Sequence, residues 1–249
     1  MSSSSSFYVS LPSTTSDKFF DDNKAGQYTT MLPQAINLNG EYEVGLSEIL
    51  YSGNFINIGK DECWLDFNLR AIFQAYITIE PGLYTDNEEF INMITKKLKD
   101  IKKLTGIKFI YNKSVQKVSI RQGAIGVLTL SPKLARLLGF KNRRLLGVKM
   151  YIADSIMDLI EDYHNTFVYS DIVSQTTVGD TYAPLLRIIP TTNTKEKVIH
   201  HIFQTPHYKL VSRNYFTTIE ILLKNHLGET YSFASGQTIV TLHFRPREN

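Results

Sequence analysis

Six histidines, His164, His200, His201, His207, His226 and His243, are the side chains best suited to hold a metal or carry a proton. Three of them fall in the stretch HHIFQTPH, 200–207. On a strand, His200 and His201 point to opposite faces, and no cysteine or acidic cluster lies beside them, so the spacing argues against a metal centre. Cys63 is the only cysteine. It excludes an internal disulfide and a multi-cysteine zinc site, and its place beside Trp64 in a strand pattern reads as a buried structural thiol. Serine, histidine and aspartate are all present, but no G-x-S-x-G elbow presents a nucleophile. No Walker loop or G-x-G-x-x-G occurs, and VGDTY (178–182) reads as a turn. Glu41, Glu43 and Glu48 lie on the solvent side of one strand or near its end, which supports no acid pair for hydrolysis. The expectation is no catalytic residue, no metal ligand, no cofactor and no enzyme.

The strongest chemical signal is positive charge. Residues 85–149 hold 15 Lys or Arg against four Asp or Glu, a net of +11, while the rest of the chain carries −8. Lys96, Lys97, Lys99, Lys102 and Lys103 cluster at one expected helix end. Lys133, Arg136, Lys141, Arg143, Arg144 and Lys149 form a second group. Such a surface suits an anionic partner, either nucleic acid, a glycan or an acidic protein, or else it solvates a face balanced by the acidic remainder. Phe140 and Tyr111 are the only nearby aromatics that could stack on bases.

The elements that must position these groups are mostly strands. The 14 Tyr and 14 Phe favour them. FYVSLP (7–12), QYTTMLPQAINL (27–38), EYEVGLSEILY (41–51), CWLDFNL (63–69) and AIFQAYITIE (71–80) read as strands, with Pro33 marking an edge or bend. The period then changes. Phe90, Ile91, Ile94, Leu98 and Ile101 recur at helical spacing, with Thr85 and Glu88 as a capping box. IKFIYNKSVQKVSI (107–120) reads as a hairpin turning near 112–114, and LTL (128–130) as a short strand. SPKLARLLGF (131–140) reads as a short helix with Ser131 as cap and Gly139 as stop. YIADSIMDLIEDY (151–163) fits a strand followed by a helical turn. Strands resume to the end, where TIVTLHFR is expected to form a hairpin with 215–225. Residues 1–6, MSSSSS, resemble no secretory signal and are expected to be a disordered arm. No apolar run reaches the ~20 residues of a transmembrane helix. The pattern predicts a mainly β chain: a two-sheet antiparallel sandwich formed by 7–84 and 150–249, of which the jelly roll is a common version, with a basic α+β insertion domain at 85–149.

Four stretches carry a family resemblance: FYVSLPSTTSDKFFDDNKAGQYTTMLPQAINLNGEYEVGLSEILY; PGLYTDNEEFINMI through LSPKLARLLGF; FVYSDIVSQTTVGDTYAPLLRIIP; and YFTTIEILLKNHLGETYSFASGQTIVTLHFR. In that order they resemble the minor capsid, or penton, proteins of Polinton/Maverick elements and adintoviruses. The resemblance implies a single jelly-roll β-sandwich with an inserted small α+β domain, in a structural, non-enzymatic protein. It would form homopentamers at the five-fold vertices of an icosahedral capsid, beside a double-jelly-roll major capsid protein. The protein would be made in the host cytoplasm or nucleus and reside in the virion. The N-terminal arm and the tail RPREN are expected to reach neighbouring subunits. The basic insert would meet a host glycan if it faces outward and DNA if it faces inward. Two alternatives stay open: a free-standing jelly-roll module that binds a glycan or receptor, and a DNA-binding capsid-associated protein acting through the insert.

Overall fold

The computed structural model describes residues 5–69, 72–104, 106–123, 125–191 and 197–247, with Lys103 described in its backbone only. The chain is mainly β, in antiparallel sheets. It begins with β1 (Phe7–Pro12), β2 (Gln27–Asn37) and β3 (Tyr42–Ser52). The middle holds β4 (Trp64–Leu69), β5 (Phe73–Thr78), α1 (Asn87–Lys99), β6 (Ile107–Asn112), β7 (Lys117–Gln122), β8 (Val127–Leu130), α2 (Pro132–Leu137), β9 (Arg144–Leu146) and β10 (Lys149–Ile152). There follow β11 (Asn165–Ser170), β12 (Thr176–Val178), β13 (Thr181–Ala183), β14 (Leu185–Pro190), β15 (Val198–Ile202), β16 (Lys209–Leu210), β17 (Tyr215–Lys224) and β18 (Ile239–Pro246). Two compact units result: unit 1 runs to Phe55 and resumes at Asp162, and unit 2 is Ile56–Glu161.

Unit 1 is a jelly-roll-like sandwich. One sheet has the order β1-β18-β3-β15, with β16 also on β3, and the other the order β14-β11-β17-β2. Alternation turns one face of each sheet inward, burying Leu11, Val44, Leu46, Ile49, Leu242 and Phe244 from the first sheet and Tyr28, Val168, Ile219 and Leu223 from the second. Each such side chain contributes about 1.5–3 kcal/mol by leaving water. Tyr28 Oη donates to the Leu11 carbonyl at 2.8 Å, and the Phe216 and Phe244 rings stack at 6.0 Å, so both bonds and rings cross between the sheets. A bulge at Ser47 shifts the register, pairing Thr241 with Glu48 but Leu242 with Leu46. The extra residue flips parity, so the buried positions of β3 change from Val44 and Leu46 to Ile49 and Tyr51.

The expected hairpin between 215–225 and the last strand is not formed. β17 lies in one sheet beside β11 and β2, while β18 lies in the other, between β1 and β3. Residues 225–238 cross between the sheets, a connection far longer than the 2–5 residues of a hairpin loop. It is itself part of the core: Tyr231 is buried, and Thr166 Oγ1 donates to its Oη at 2.8 Å. The expected free tail is also corrected. Strand β18 runs through Pro246, Arg245 holds Glu43 at 3.0 Å, and Arg247 holds Glu41 at 2.9 Å. Only Glu248 and Asn249 of RPREN lie outside the described residues, as does most of the N-terminal arm, residues 1–4.

Unit 2 is wider than the expected 85–149 insert. β4 and β5 read as strands of the frame, but β4 pairs with β8 from Leu65↔Leu130 to Asn68↔Val127, giving a sheet of order β5-β4-β8-β9. A second sheet has the order β10-β7-β6. The core includes Phe90, Ile91, Ile94 and Leu98 of α1, Phe109 and Ile120 of the second sheet, and Leu134 and Leu137 of α2. Helix α1 is capped one residue later than expected. Asp86 accepts the Glu89 N–H at 2.9 Å, and its carboxylate also suits the positive end of the helix. For α2 the cap is Ser131 as expected, and Gly139 takes the left-handed φ of 82° that ends it. Asn57 closes the unit. Its Nδ2 donates to the carbonyls of Tyr84 (2.6 Å) and Leu159 (2.9 Å), and its Oδ1 accepts the Tyr84 N–H at 2.9 Å.

Candidate functional site

The eleven predicted basic residues all belong to unit 2, where the described side chains are spread over several elements. Lys96 and Lys99 are exposed on α1, and Lys97 is half-buried with its Nζ 3.6 Å from Glu80. Lys102 is exposed just after α1. The Lys103 side chain lies outside the described residues. In the second group, Lys133 is committed to Glu62 at 2.5 Å with only 12% of its side chain exposed. Arg136, Lys141, Arg143 and Arg144 are exposed on α2, the following loop and β9. Lys149 is exposed on β10, its Nζ 4.8 Å from the Tyr151 ring centre. The first group rides on α1, which packs on β6, and Arg144 belongs to the other sheet. A cleft of about 700 Å³, lined by Asp66, Asn68, Ile125, Arg144 and Leu146 among others, takes Arg144 alone from the eleven.

The wider boundary of unit 2 also dilutes its charge. Ile56–Glu161 holds 17 basic and 11 acidic residues, a net of +6, against −3 for unit 1. Asp61, Glu62, Asp66, Glu80, Asp154, Asp158 and Glu161 all fall on the basic side of the division. The field at this surface is therefore weaker than a count over 85–149 suggests.

The other candidate groups serve structure. Cys63 is buried, and burial pushes its thiol up to about 12, so no thiolate exists near neutral pH. His200 and His201 do face opposite ways: His200 Nε2 lies 2.7 Å from Glu48 on the outer face, and the His201 ring stacks on Phe203 and near buried Tyr51. His243 is sandwiched in an outer-face cluster, with Tyr8 stacked on it at 4.4 Å and the Tyr208 hydroxyl 2.7 Å from its Nδ1. Burial, and then the Arg245 charge, hold its pKa below the ordinary histidine value. Arg245 in turn lies 3.6 Å over the Tyr208 ring while pairing with Glu43. Among the described residues, no three His, Cys, Asp or Glu side chains gather as metal ligands. None of the described helices is long and apolar enough to cross a membrane.

Sequence reasoning missed two surfaces. At one side of the sandwich, β1 and β2 are the end strands of their sheets, and an apolar groove of about 740 Å³ runs beside them, lined by Tyr8, Leu11, Pro12, Met31, Leu32 and Ile36 among others. Its signal was weak, because two strand edges meet only in three dimensions. In unit 2, Leu146, Val148, Met150 and Ile152 are all exposed, and here a period-two apolar run was present in the sequence.

A scan against protein-family models finds no match, and a search of curated proteins finds none. Among solved structures, the chain is similar to the selenomethionine-labelled mavirus penton protein, with 11% identity and a TM-score of 0.52. The likeness covers 97% of this chain and 99% of that one. The chain therefore has a penton-like, jelly-roll-like fold.

Proposed function

We propose that this chain is a structural minor capsid protein, a penton, that forms homopentamers at the five-fold vertices of an icosahedral virion. The end-to-end likeness to the mavirus penton protein carries this reading, because it spans nearly the full length of both chains and so includes both units. The surface adds support. A ring of identical subunits needs two different patches that meet. The sandwich offers distinct edges: β1 and β2 with the apolar groove on one side, and β14 and β15 at the far ends of the two sheets. Its polar clusters are spent on cross-strand ties such as Arg245–Glu43 and His200–Glu48. In this role the neighbours are further copies of the chain and a double-jelly-roll major capsid protein, and the work is mechanical and not catalytic.

The test is the mass of the purified chain by light scattering at several concentrations and salts, followed by co-expression with a double-jelly-roll major capsid protein. The expected result is an assembly of five 28.5 kDa chains, about 143 kDa, or its appearance on co-expression. A monomer in both experiments that is absent from the assembled shells would overturn the proposal.

A further inference from the structure

The sheet of β10, β7 and β6 has two outward rows. Ile152, Ser119 and Ile110 are cross-strand partners in one, and Met150, Arg121 and Lys108 in the next. Ile110, Met150 and Ile152 are exposed, as are Arg121 and Lys108. The inward residues of the same strands, Phe109, Val118 and Ile120, are buried in the core of unit 2. Exposed apolar residues also precede the strand. Leu146 and Val148 are each more than half exposed, so large apolar side chains meet solvent at every second position from 146 to 152. Tyr151 fixes this course: its hydroxyl accepts the Leu146 N–H at 2.6 Å and donates to the Leu146 carbonyl at 2.5 Å, and Gly147 turns the chain with a φ of 77°. Single exposed apolar residues are ordinary, but a contiguous run rimmed by charge marks an interaction surface.

The backbone supplies a second observation. β10 pairs with β7 and with no other strand among the described residues. Ala153 N–H donates to the Val118 carbonyl at 2.8 Å. Antiparallel alternation then turns the N–H and C=O groups of Tyr151 toward β7 and those of Met150 and Ile152 toward the open edge. Native edge strands are commonly blunted by charge, proline or a bulge. Here the residues at the open edge are a methionine and an isoleucine.

Charge selects the occupant. Lys108 and Arg121 share the outward row of Met150, and Lys149, paired with Gln122, is exposed on the other face of the edge strand. The nearest acid on the chain beyond β10, Asp154, is engaged by the Lys141 N–H at 2.9 Å. A second copy of the same edge would set these cations against their own kind, and a phosphate backbone would leave the apolar row bare. We propose that β10 is a docking edge for an extended segment of a partner protein in which acidic and apolar residues alternate. The segment adds a strand beside Met150 and Ile152, lays its apolar side chains along their outward face, and turns its carboxylates to the opposite face, toward the exposed Lys149. This inference does not depend on the vertex role.

The probe is a fluorescein-labelled synthetic peptide alternating Glu with Val and Leu, titrated with the full-length chain. A peptide with Lys in place of Glu, and a labelled single-stranded and a duplex DNA, serve as comparisons. The acidic peptide is expected to bind saturably and more weakly as salt rises, with little binding of the Lys peptide. Met150→Asp combined with Ile152→Asp is expected to raise its Kd at least about tenfold. Both side chains are exposed, so the variant should keep its circular dichroism spectrum, and Lys149→Gln provides a milder charge change on the opposite face of the same strand. Failure of the acidic peptide to bind would overturn the proposal. So would equal binding of both peptides, unchanged affinity in the double variant, tighter binding of DNA than of peptide, or self-association that the double variant abolishes.

Discussion

Replacing Asn57 with alanine should weaken unit 2 more than any other single change to a polar side chain within it. The amide makes three hydrogen bonds, two to carbonyls and one from an N–H, and it is buried. It ties the first residues of the unit to the loop before α1 and to the segment that leaves it. Each buried bond is worth about 1 kcal/mol net, and each group left without a partner costs about 1–3 kcal/mol. Water can reach the partly buried Tyr84 groups more easily than the Leu159 carbonyl, so the loss should fall near 3–5 kcal/mol. That is a large part of the roughly 5–15 kcal/mol that holds a domain together. Trp64, the only tryptophan, sits half-buried in β4 of the same unit, so its fluorescence reports this transition. With a urea dependence of about 2 kcal/mol per molar, the midpoint should drop by about 1.5–2.5 M. Asn57→Asp should be worse, because it turns a buried carboxylate toward two carbonyl oxygens. A shift in Asn57→Ala below about 0.5 M would refute the reasoning, since it would mean that water replaces the amide without loss.

Three further outcomes are expected. The depressed pKa of His243 means that the unfolded chain takes up a proton first as pH falls; its contribution to stability is therefore present above the ordinary value of 6.5 and lost as pH falls through the lower folded value. His243→Asn, which keeps an acceptor for the Tyr208 hydroxyl, should show a shallower loss of stability between about pH 7.5 and about pH 5.5 than the parent, and an identical slope would contradict this. Cys63 should react with an aromatic disulfide reagent at neutral pH only as fast as the chain unfolds, and rapid stoichiometric labelling of folded protein would remove the buried-thiol reading. A Cβ at Gly45 would lie 2.8 Å from the Pro206 Cβ and 3.3 Å from the Tyr208 ring, so Gly45→Val should cost about 1–3 kcal/mol by denaturant unfolding, and an unchanged midpoint would show that the 206–208 segment moves aside freely.

Local chemistry was legible in the sequence wherever one segment decides its own state. The helical spacing of Phe90, Ile91, Ile94 and Leu98 marks the buried stripe of α1, and Ser131 before Pro132 marks the start of α2. The mainly β jelly-roll-like fold was legible too. Partnership was not. Period two says that β4, β17 and β18 are strands with one buried face, but alternation carries no label for the neighbouring strand. β4 was therefore assigned to the wrong unit and β18 to the wrong partner. The same gap affected the charges. Lys133 reads as an exposed cation in sequence, yet Glu62, 71 positions earlier, takes it up. Arg245 and Arg247 read as a free tail because their acceptors, Glu43 and Glu41, lie more than 200 positions away.

The position of β18 has a consequence for how the protein is made. It fills the gap between β1 and β3, pairing Phe7 with Phe244 and Tyr42 with Pro246. A ribosome delivers β1 and β3 early and β18 after every other described strand. Unit 2 is contiguous in the chain and has all of its strands while β1 and β3 still wait for the strand between them. Nascent or prematurely ended chains thus lack an interior strand of the first sheet, and β1 has nothing to pair with. Sandwich completion is coupled to translation of the last described strand, so unfinished chains cannot present the β1–β2 groove to a neighbour.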